Sequence, residues 1–319
     1  MPRILFVKTS SLGDVIHNCP AVTDVARHVP GAQIDWVVEE PFAGLAALHA
    51  NVRRVIPVAI RRWRSEIAST GTWSEFGDFR RLLRAEDYDA VIDSQGLVKS
   101  ALVAALARGP KHGFDRASAR EPLAARLYDH LHAVPVGLHA VQRNRRLAAA
   151  ALSYAPGEAC DYGLRAEGDS PLHTLIPFAL LFTMTSREDK LWPEEHWRSL
   201  GMALEAGGIH CLLPWGSDEE KRRCARIATA IPGAVVPRRL SLPELARLAR
   251  RAHCVVGVDT GLSHLAAALG VRTVGLYCGS SPALTGLYGS DRLRNLGGPG
   301  AAPAVGAALE ALRSLGALA

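Results

Sequence analysis

The feature that most limits what this chain can become is an alternation that occurs twice. Short apolar runs at 4–8, 34–38, 55–58 and 90–93 are separated by stretches at 15–28 and 76–84 whose apolar residues recur at helical spacing. An alanine-rich helical stretch at 140–152 follows, then a run dense in Gly, Asp, Ser and Pro, and the alternation restarts. The second round predicts strands at 175–182, 209–213, 254–258 and 273–277, a short one at 234–236, and helices at 194–206, 219–231, 242–252 and 262–269. Parallel strands need a crossover to join them, so this pattern implies parallel sheets with helices on both faces. The expected fold is α/β, with two Rossmann-like, doubly wound domains facing across a cleft. Residues 1–168 form the first and 169–319 the second, and the last stretch, 303–318, is a candidate to pack back on the first domain. At 319 residues the chain exceeds the usual size of one hydrophobic core, which agrees with two.

In open sheets of this kind ligands bind beyond the carboxyl ends of the strands, and four loops fall there. The first, KTSSLGD, packs a lysine, three hydroxyls and an aspartate into seven residues, more chemistry than a turn requires. Asp14 reads either as a helix cap or, aimed into a cleft, as a base for a hydroxyl nucleophile. The second, TSREDKLWP, offers Thr185 and Ser186 as hydroxyl donors and Lys190 as a mobile cation, a set suited to phosphate; capping hydroxyls are the plainer reading. The third, VGVDTGLSH, ends a buried strand at Asp259. Thr260 and Gly261 then open a helix whose positive end suits a diphosphate, while His264 is either a donor or a structural histidine. The fourth, PWGSDEE, carries Glu220, a partner for sugar hydroxyls or an acid placed by the helix dipole.

Charge narrows the partners. The net charge is +6, and arginines outnumber lysines 32 to five, so Lys8, Lys99, Lys111, Lys190 and Lys221 stand out as compact ammonium groups. Five arginines and no acid lie between Arg53 and Arg64, and a second basic stretch runs from Arg108 to Arg146. An anionic partner or a solvated surface would account for either. Nucleic acid is a poor fit, because aromatic residues make up 6% of the chain and do not interleave with the cations. Six cysteines without C-x-x-C spacing argue against a zinc site or disulfide framework and suit a reducing compartment. The start of the chain lacks the pattern of a secretory signal, and its apolar runs are short of a membrane span, so a cytoplasmic location is expected. No strand is followed by G-x-G-x-x-G, and G-x-x-x-x-G-K-[ST], H-E-x-x-H and G-x-S-x-G are all missing. What remains is a potential base in the first half and a phosphate-binding set in the second, a division of labour that suits group transfer from a nucleotide donor.

In order along the chain, KTSSLGDVIHNCPA, RVIPVAIRRWR, YDAVIDSQGLVKSA, KHGFD, SAREPLA, TSREDKLWP, LPWGS and VGVDTGLSHLAAALG closely resemble the lipopolysaccharide heptosyltransferases of Gram-negative bacteria. The resemblance runs from Met1 to Tyr277 and is looser beyond. It implies a GT-B glycosyltransferase that moves L-glycero-D-manno-heptose from ADP-heptose to Kdo of Kdo-lipid A, with inversion and with neither metal nor cofactor. By that resemblance Asp14 is the general base, and Lys190 with Thr185 and Ser186 contacts the donor diphosphate. Asp259, Thr260, Gly261 and His264 correspond to the donor-binding stretch and Glu220 to a ribose contact. Ser11, Gly13, Arg61, Arg62, Arg64, Lys99, Lys111 and Arg120 fall in the acceptor-binding half. The location implied is the cytoplasmic face of the inner membrane, with peripheral contact. SAREP and VIDSQGLVKSA favour the member that adds the first heptose; the alternatives are the member that adds the second, and a non-catalytic nucleotide-sugar-binding protein.

Overall fold

Ile4, Leu5, Phe6 and Val7 are completely buried, as a strand covered on both faces must be, and they form the centre of β1 (Arg3–Val7). The computed structural model describes residues 1–170, 172 and 177–319, and it divides into two units, Met1–Leu164 and Arg165–Ala319. In the first, β1 is joined by β2 (Gln33–Glu39), β3 (Val52–Val58), β4 (Ala90–Asp93), β5 (Lys111–Phe114) and β6 (His130–His132). Every pairing is parallel and the order is β3-β2-β1-β4-β5-β6. Chain order reverses at β1, so the loops leaving β1 and β4 diverge and open a crevice at their carboxyl ends.

Two helices lock this edge. The helix Leu12–His28 starts in the loop after β1, and the helix Ala140–Leu152 packs along it. A buried ion pair fastens them: Arg145 Nε donates to Asp24 Oδ2 at 2.6 Å, while Arg145 Nη2 also reaches the carbonyls of Gly157 and Ala159. Because both charges are out of water, loss of either partner alone would strand the other.

The second unit holds β7 (Phe178–Phe182), β8 (His210–Leu212), β9 (Cys254–Val258), β10 (Thr273–Tyr277) and β11 (Leu293–Gly297), again all parallel, in the order β11-β10-β9-β7-β8. Its reversal lies at β7 and β9, whose loops carry Lys190 and Asp259. Trp192, two residues past Lys190, is wholly buried, meets Trp197 edge-on at 5.0 Å and donates its indole N–H to Pro303 O at 2.8 Å. Truncating such a ring costs roughly 3–5 kcal/mol, so the loop bearing Lys190 is anchored by core packing. The closing helix Val305–Ser314 places Ala308, Ala311 and Leu312 in the core of this same unit.

The structure adds elements the periodicity does not reveal: β5, β6, β11 and the helices Val98–Leu106 and Val305–Ser314. β6 reads HLH with its residues largely exposed, so no apolar run betrays it. The expected strand at 234–236 is a single bridge between Leu212 and Val235. Of the strand expected at 175–182, residues 175 and 176 lie outside the described residues, and β7 begins at Phe178.

Candidate active site

In the first unit the chemistry gathers at the β1/β4 reversal. The loop after β1 is held from below by Gln95, whose Oε1 accepts from Thr9 N at 2.7 Å and Thr9 Oγ1 at 2.8 Å. Gln95 follows Asp93, a buried carboxylate that accepts from Gln95 N at 2.9 Å, Ser100 Oγ at 2.7 Å and Tyr128 Oη at 2.7 Å. Burial still raises the Asp93 carboxyl above its usual range despite these donors. Two glycines make the arrangement feasible. Gly96 takes φ +69° to turn the chain past Asp93, and a Cβ on Gly113 would lie 2.2 Å from the Tyr128 ring.

On this platform stands Asp14, in the first turn of the helix Leu12–His28. Its Oδ2 accepts from Ser11 N at 3.0 Å, and its Oδ1 accepts from Arg120 Nη2 at 2.6 Å. The cap reading of the sequence thus has a structural counterpart in the Ser11 contact, and Arg120 reaches both carboxylate oxygens, its Nη1 lying 3.4 Å from Oδ2. Lys8 lies beneath, fully buried, with Nζ donating to Ser94 O at 2.8 Å and Asn144 Oδ1 at 3.4 Å. Burial by itself would raise the Asp14 carboxyl, but the Lys8 ammonium, the Arg120 guanidinium and the Ser11 N–H outweigh it and hold the group far below the usual carboxylate range. Burial also pushes Lys8 down to about 8, against the opposing pull of Asp14. The resting carboxylate is thus ionised and ion-paired.

The other first-unit candidates separate into groups. Lys99 Nζ stands 3.5 Å from Ser10 Oγ, on the same loop as Ser11, Gly13 and Asp14. Arg62 is committed to Glu40 and Glu75, at 3.2 and 2.8 Å, which leaves the exposed Arg61 and Arg64 as its less encumbered neighbours. Arg61 is one of the cations beside Glu39, a buried carboxyl that desolvation raises in spite of Arg61 and Lys99. Lys111 opens β5 opposite Val91, and Val91 in turn pairs with Leu5. Its backbone therefore lies two residues short of the edge where Asp14 sits, and the structure does not bring it into that cluster.

In the second unit the loops after β7, β9 and β10 converge on Asp259. Its Oδ2 accepts from Lys190 Nζ at 2.7 Å and Ser280 Oγ at 2.5 Å, its Oδ1 is 3.6 Å from His264 Nε2, and its backbone carbonyl accepts from Thr185 Oγ1 at 2.9 Å. Burial works against ionisation here too, and His264, Lys190 and Ser280 together reverse it, leaving the carboxyl far below its usual range. Thr260 precedes the helix Gly261–Ala268 without a side-chain cap, and that helix end carries the positive pole of its dipole. Ser186 is exposed next to this group. Glu220 makes none of the cluster's hydrogen bonds; its Oε2 accepts from Gly216 N at 2.6 Å, while its own N–H donates to the N-cap residue Ser217 at Oγ, 3.2 Å away. Among the described residues no group of three or more His, Cys, Asp or Glu side chains is arranged to hold a metal ion.

Lys8 and Ser280 were not among the site residues expected from sequence. Lys8 carried a signal, as one of five lysines and the first residue of the suspicious loop. Ser280 lies just past β10, and the strand-end rule applied to that strand would have reached it.

Three comparisons bear on these half-sites. Residues 76–306 match the family model described as Glycosyltransferase family 9 (heptosyltransferase). Lipopolysaccharide heptosyltransferase 1 of Pseudomonas aeruginosa is 47% identical over 91% of this chain and 82% of its own. Among solved structures, E. coli heptosyltransferase WaaC with ADP superposes with a TM-score of 0.91 at 43% identity, covering 98% of this chain and 99% of that one. The same enzyme with ADP-2-deoxy-2-fluoro heptose gives 0.85 at 44% identity, over 93% and 94%.

Proposed function

The chain belongs to glycosyltransferase family 9, the heptosyltransferases, and transfers heptose in lipopolysaccharide core synthesis on a GT-B fold; from that premise we propose that its donor is ADP-L-glycero-D-manno-heptose and its acceptor Kdo-lipid A. The observation that carries the reading is Asp14, an ionised carboxylate at the chain reversal of the first sheet, held by two cations and offered to an incoming hydroxyl.

Asp14 accepts the proton of a Kdo hydroxyl as that oxygen attacks the anomeric carbon, the bond from that carbon to the diphosphate breaks, and ADP leaves with the bonding pair, inverting the centre. A sugar hydroxyl is a poor nucleophile until its proton is taken, and a placed base contributes roughly 10²–10⁴-fold. A carboxylate paired to Arg120 is a weak base at rest. The Kdo carboxylate competes for that guanidinium, and as the pair loosens Asp14 becomes more basic just when the hydroxyl is in place.

In the second unit Lys190, oriented by Asp259, and the start of the helix at Gly261 meet the charge that grows on the departing diphosphate. Thr185, Ser186, Thr260 and His264 complete that set, and Glu220 retains one carboxylate oxygen for ribose hydroxyls. Arg61, Arg64 and Lys99, with Arg62, meet acceptor anions. No metal is required by this scheme. Among the described residues no helix is long and apolar enough to cross a membrane, and the basic surface of the first unit supports peripheral docking at the cytoplasmic face of the inner membrane.

Release of ADP from ADP-heptose, measured with Kdo-lipid A and with its singly heptosylated product as separate acceptors, tests the assignment. Turnover confined to the Kdo acceptor is expected. Turnover only on the heptosylated acceptor would move the chain to the second transfer step, and silence with both would return it to a nucleotide-sugar-binding role.

A further inference from the structure

Beside the Asp14 loop, and within the first unit, lies an open cavity of about 770 Å³ whose walls come from the helices Ile60–Ser65, Thr70–Leu83 and Val98–Leu106, from Ile67 between the first two and from Val58 of β3. Its lining is apolar almost throughout, and includes Trp63, Ile67, Trp73, Phe76, Leu102 and Leu106. Three of these are turned largely to solvent, with Ile67 64%, Trp73 59% and Leu102 54% exposed. Single exposed apolar residues need no explanation, but a contiguous set around one cavity marks a binding surface. The aromatic wall is ordered, since Phe76 meets Trp63 and Trp73 edge-on at 5.8 and 6.3 Å. Both indole N–H groups are satisfied inside the protein, on Glu75 Oε2 and Ile67 O, each at 2.9 Å. The rings therefore bring no donor that an occupant would have to match.

Charge says what kind of molecule fits. Among the described residues the ionic ones lining the cavity are two cations, Arg64 and Lys99, and none is an acid. An occupant must be apolar along its body, need no hydrogen bonds there, and carry negative charge at its end. A peptide strand or loop would arrive with backbone groups that the walls cannot pair; a hydrocarbon chain has none. Lys99 also fixes the direction, because its Nζ reaches Ser10 Oγ at 3.5 Å, on the loop that bears Asp14. A chain in the groove thus leads toward the base.

We propose that this groove seats one acyl chain of the anionic glycolipid acceptor, with Lys99 and Arg64 taking a charged group at the junction of chain and sugar. The inference rests on the acceptor reading above and extends it from the reacting sugar to the lipid. It makes the groove a specificity element: apolar burial in it favours an acylated acceptor over its bare sugar headgroup.

The test compares kcat/KM for Kdo-lipid A and for the same headgroup with its acyl chains removed by hydrolysis, in the wild type and in Leu102→Glu. Leu102 is exposed, so the variant should fold, and its rate on the deacylated acceptor reports whether it has. The expected result is a fall of about tenfold or more on the acylated acceptor with the deacylated rate unchanged. Ile67→Glu, in the segment between the helices Ile60–Ser65 and Thr70–Leu83, should reproduce it. Equal losses on both acceptors, or none on either, would overturn the proposal. So would a change confined to sedimentation with phosphatidylglycerol vesicles, or to self-association by light scattering, which would give the groove to the bilayer or to a second copy. If the wild type turns over neither acceptor, the acceptor reading itself has failed. Titration with dodecyl phosphate against inorganic phosphate, followed by tryptophan fluorescence, then judges the groove alone: saturable binding of the dodecyl compound that Leu102→Glu abolishes upholds a chain seat, and its absence removes it.

Discussion

In the first unit the lysine beside the key aspartate is buried and the aspartate is the more open partner; in the second the openness is reversed. Lys8 is 2% exposed with its ammonium fixed on Ser94 O, whereas the Asp14 side chain retains 17% exposure. Asp259 keeps 10% and is enclosed by Lys190, Ser280 and His264, while Lys190 keeps 19%. Both carboxyls are held well below their usual range, yet by different arrangements: Lys8 and Arg120 act on Asp14 from below and from across, whereas Asp259 spends its charge orienting a lysine. The same two residue types at a strand end are therefore arranged in opposite ways. On the proposed mechanism the carboxylate is the working group in one and the lysine tunes it; in the other the lysine works and the carboxylate aims it.

Substitutions should break that symmetry in a fixed order. On the proposed mechanism Asp14→Asn removes the proton acceptor while preserving shape, and kcat should fall by about 10²–10⁴-fold in steady-state assays of ADP release. Lys190→Met removes charge from the leaving-group side and should cost about 10²–10³-fold in kcat/KM for ADP-heptose, with the acceptor KM changed far less. Next in size is a stability effect confined to the first unit. Lys8 titrates at about 8 when folded against 10.5 ordinarily, so between these values the unfolded chain binds more protons. Stability should therefore rise with pH through that window, by on the order of 3 kcal/mol at most, and urea unfolding of Lys8→Met should lack the rise. Asp259→Asn keeps a hydrogen bond to Lys190 but loses the charge that aims it. Its kcat/KM should drop by about tenfold, less than Lys190→Met itself, because it acts only through the lysine.

The sequence made the two sheets legible wherever strands are buried on both faces, since FALLF and CVVGV admit few other readings. It hid β5 and the edge strand β6 beside it, because KHGF and HLH have neither an apolar run nor a clean alternation. For the candidate site, residue type and strand-end position were enough to single out Asp14, Lys190 and Asp259, whereas Arg120 entered only through the family resemblance. They could not reveal that Arg120 lies on Asp14, a contact spanning 106 residues that depends on β5, β4 and β1 being neighbours. Nor could spacing show that Glu220 accepts from Gly216 N, a local contact that a role in binding the donor has to share.

The most direct test of the division of labour is calorimetric titration of ADP-heptose, without acceptor, into Asp14→Asn and Lys190→Met. Asp14→Asn should bind the donor within about twofold of wild type despite its lost turnover, while Lys190→Met should bind about tenfold or more weakly, as loss of a charge-assisted contact predicts. Weakened donor binding in Asp14→Asn together with unchanged binding in Lys190→Met would contradict the account, because the carboxylate would then serve the donor and the lysine would not.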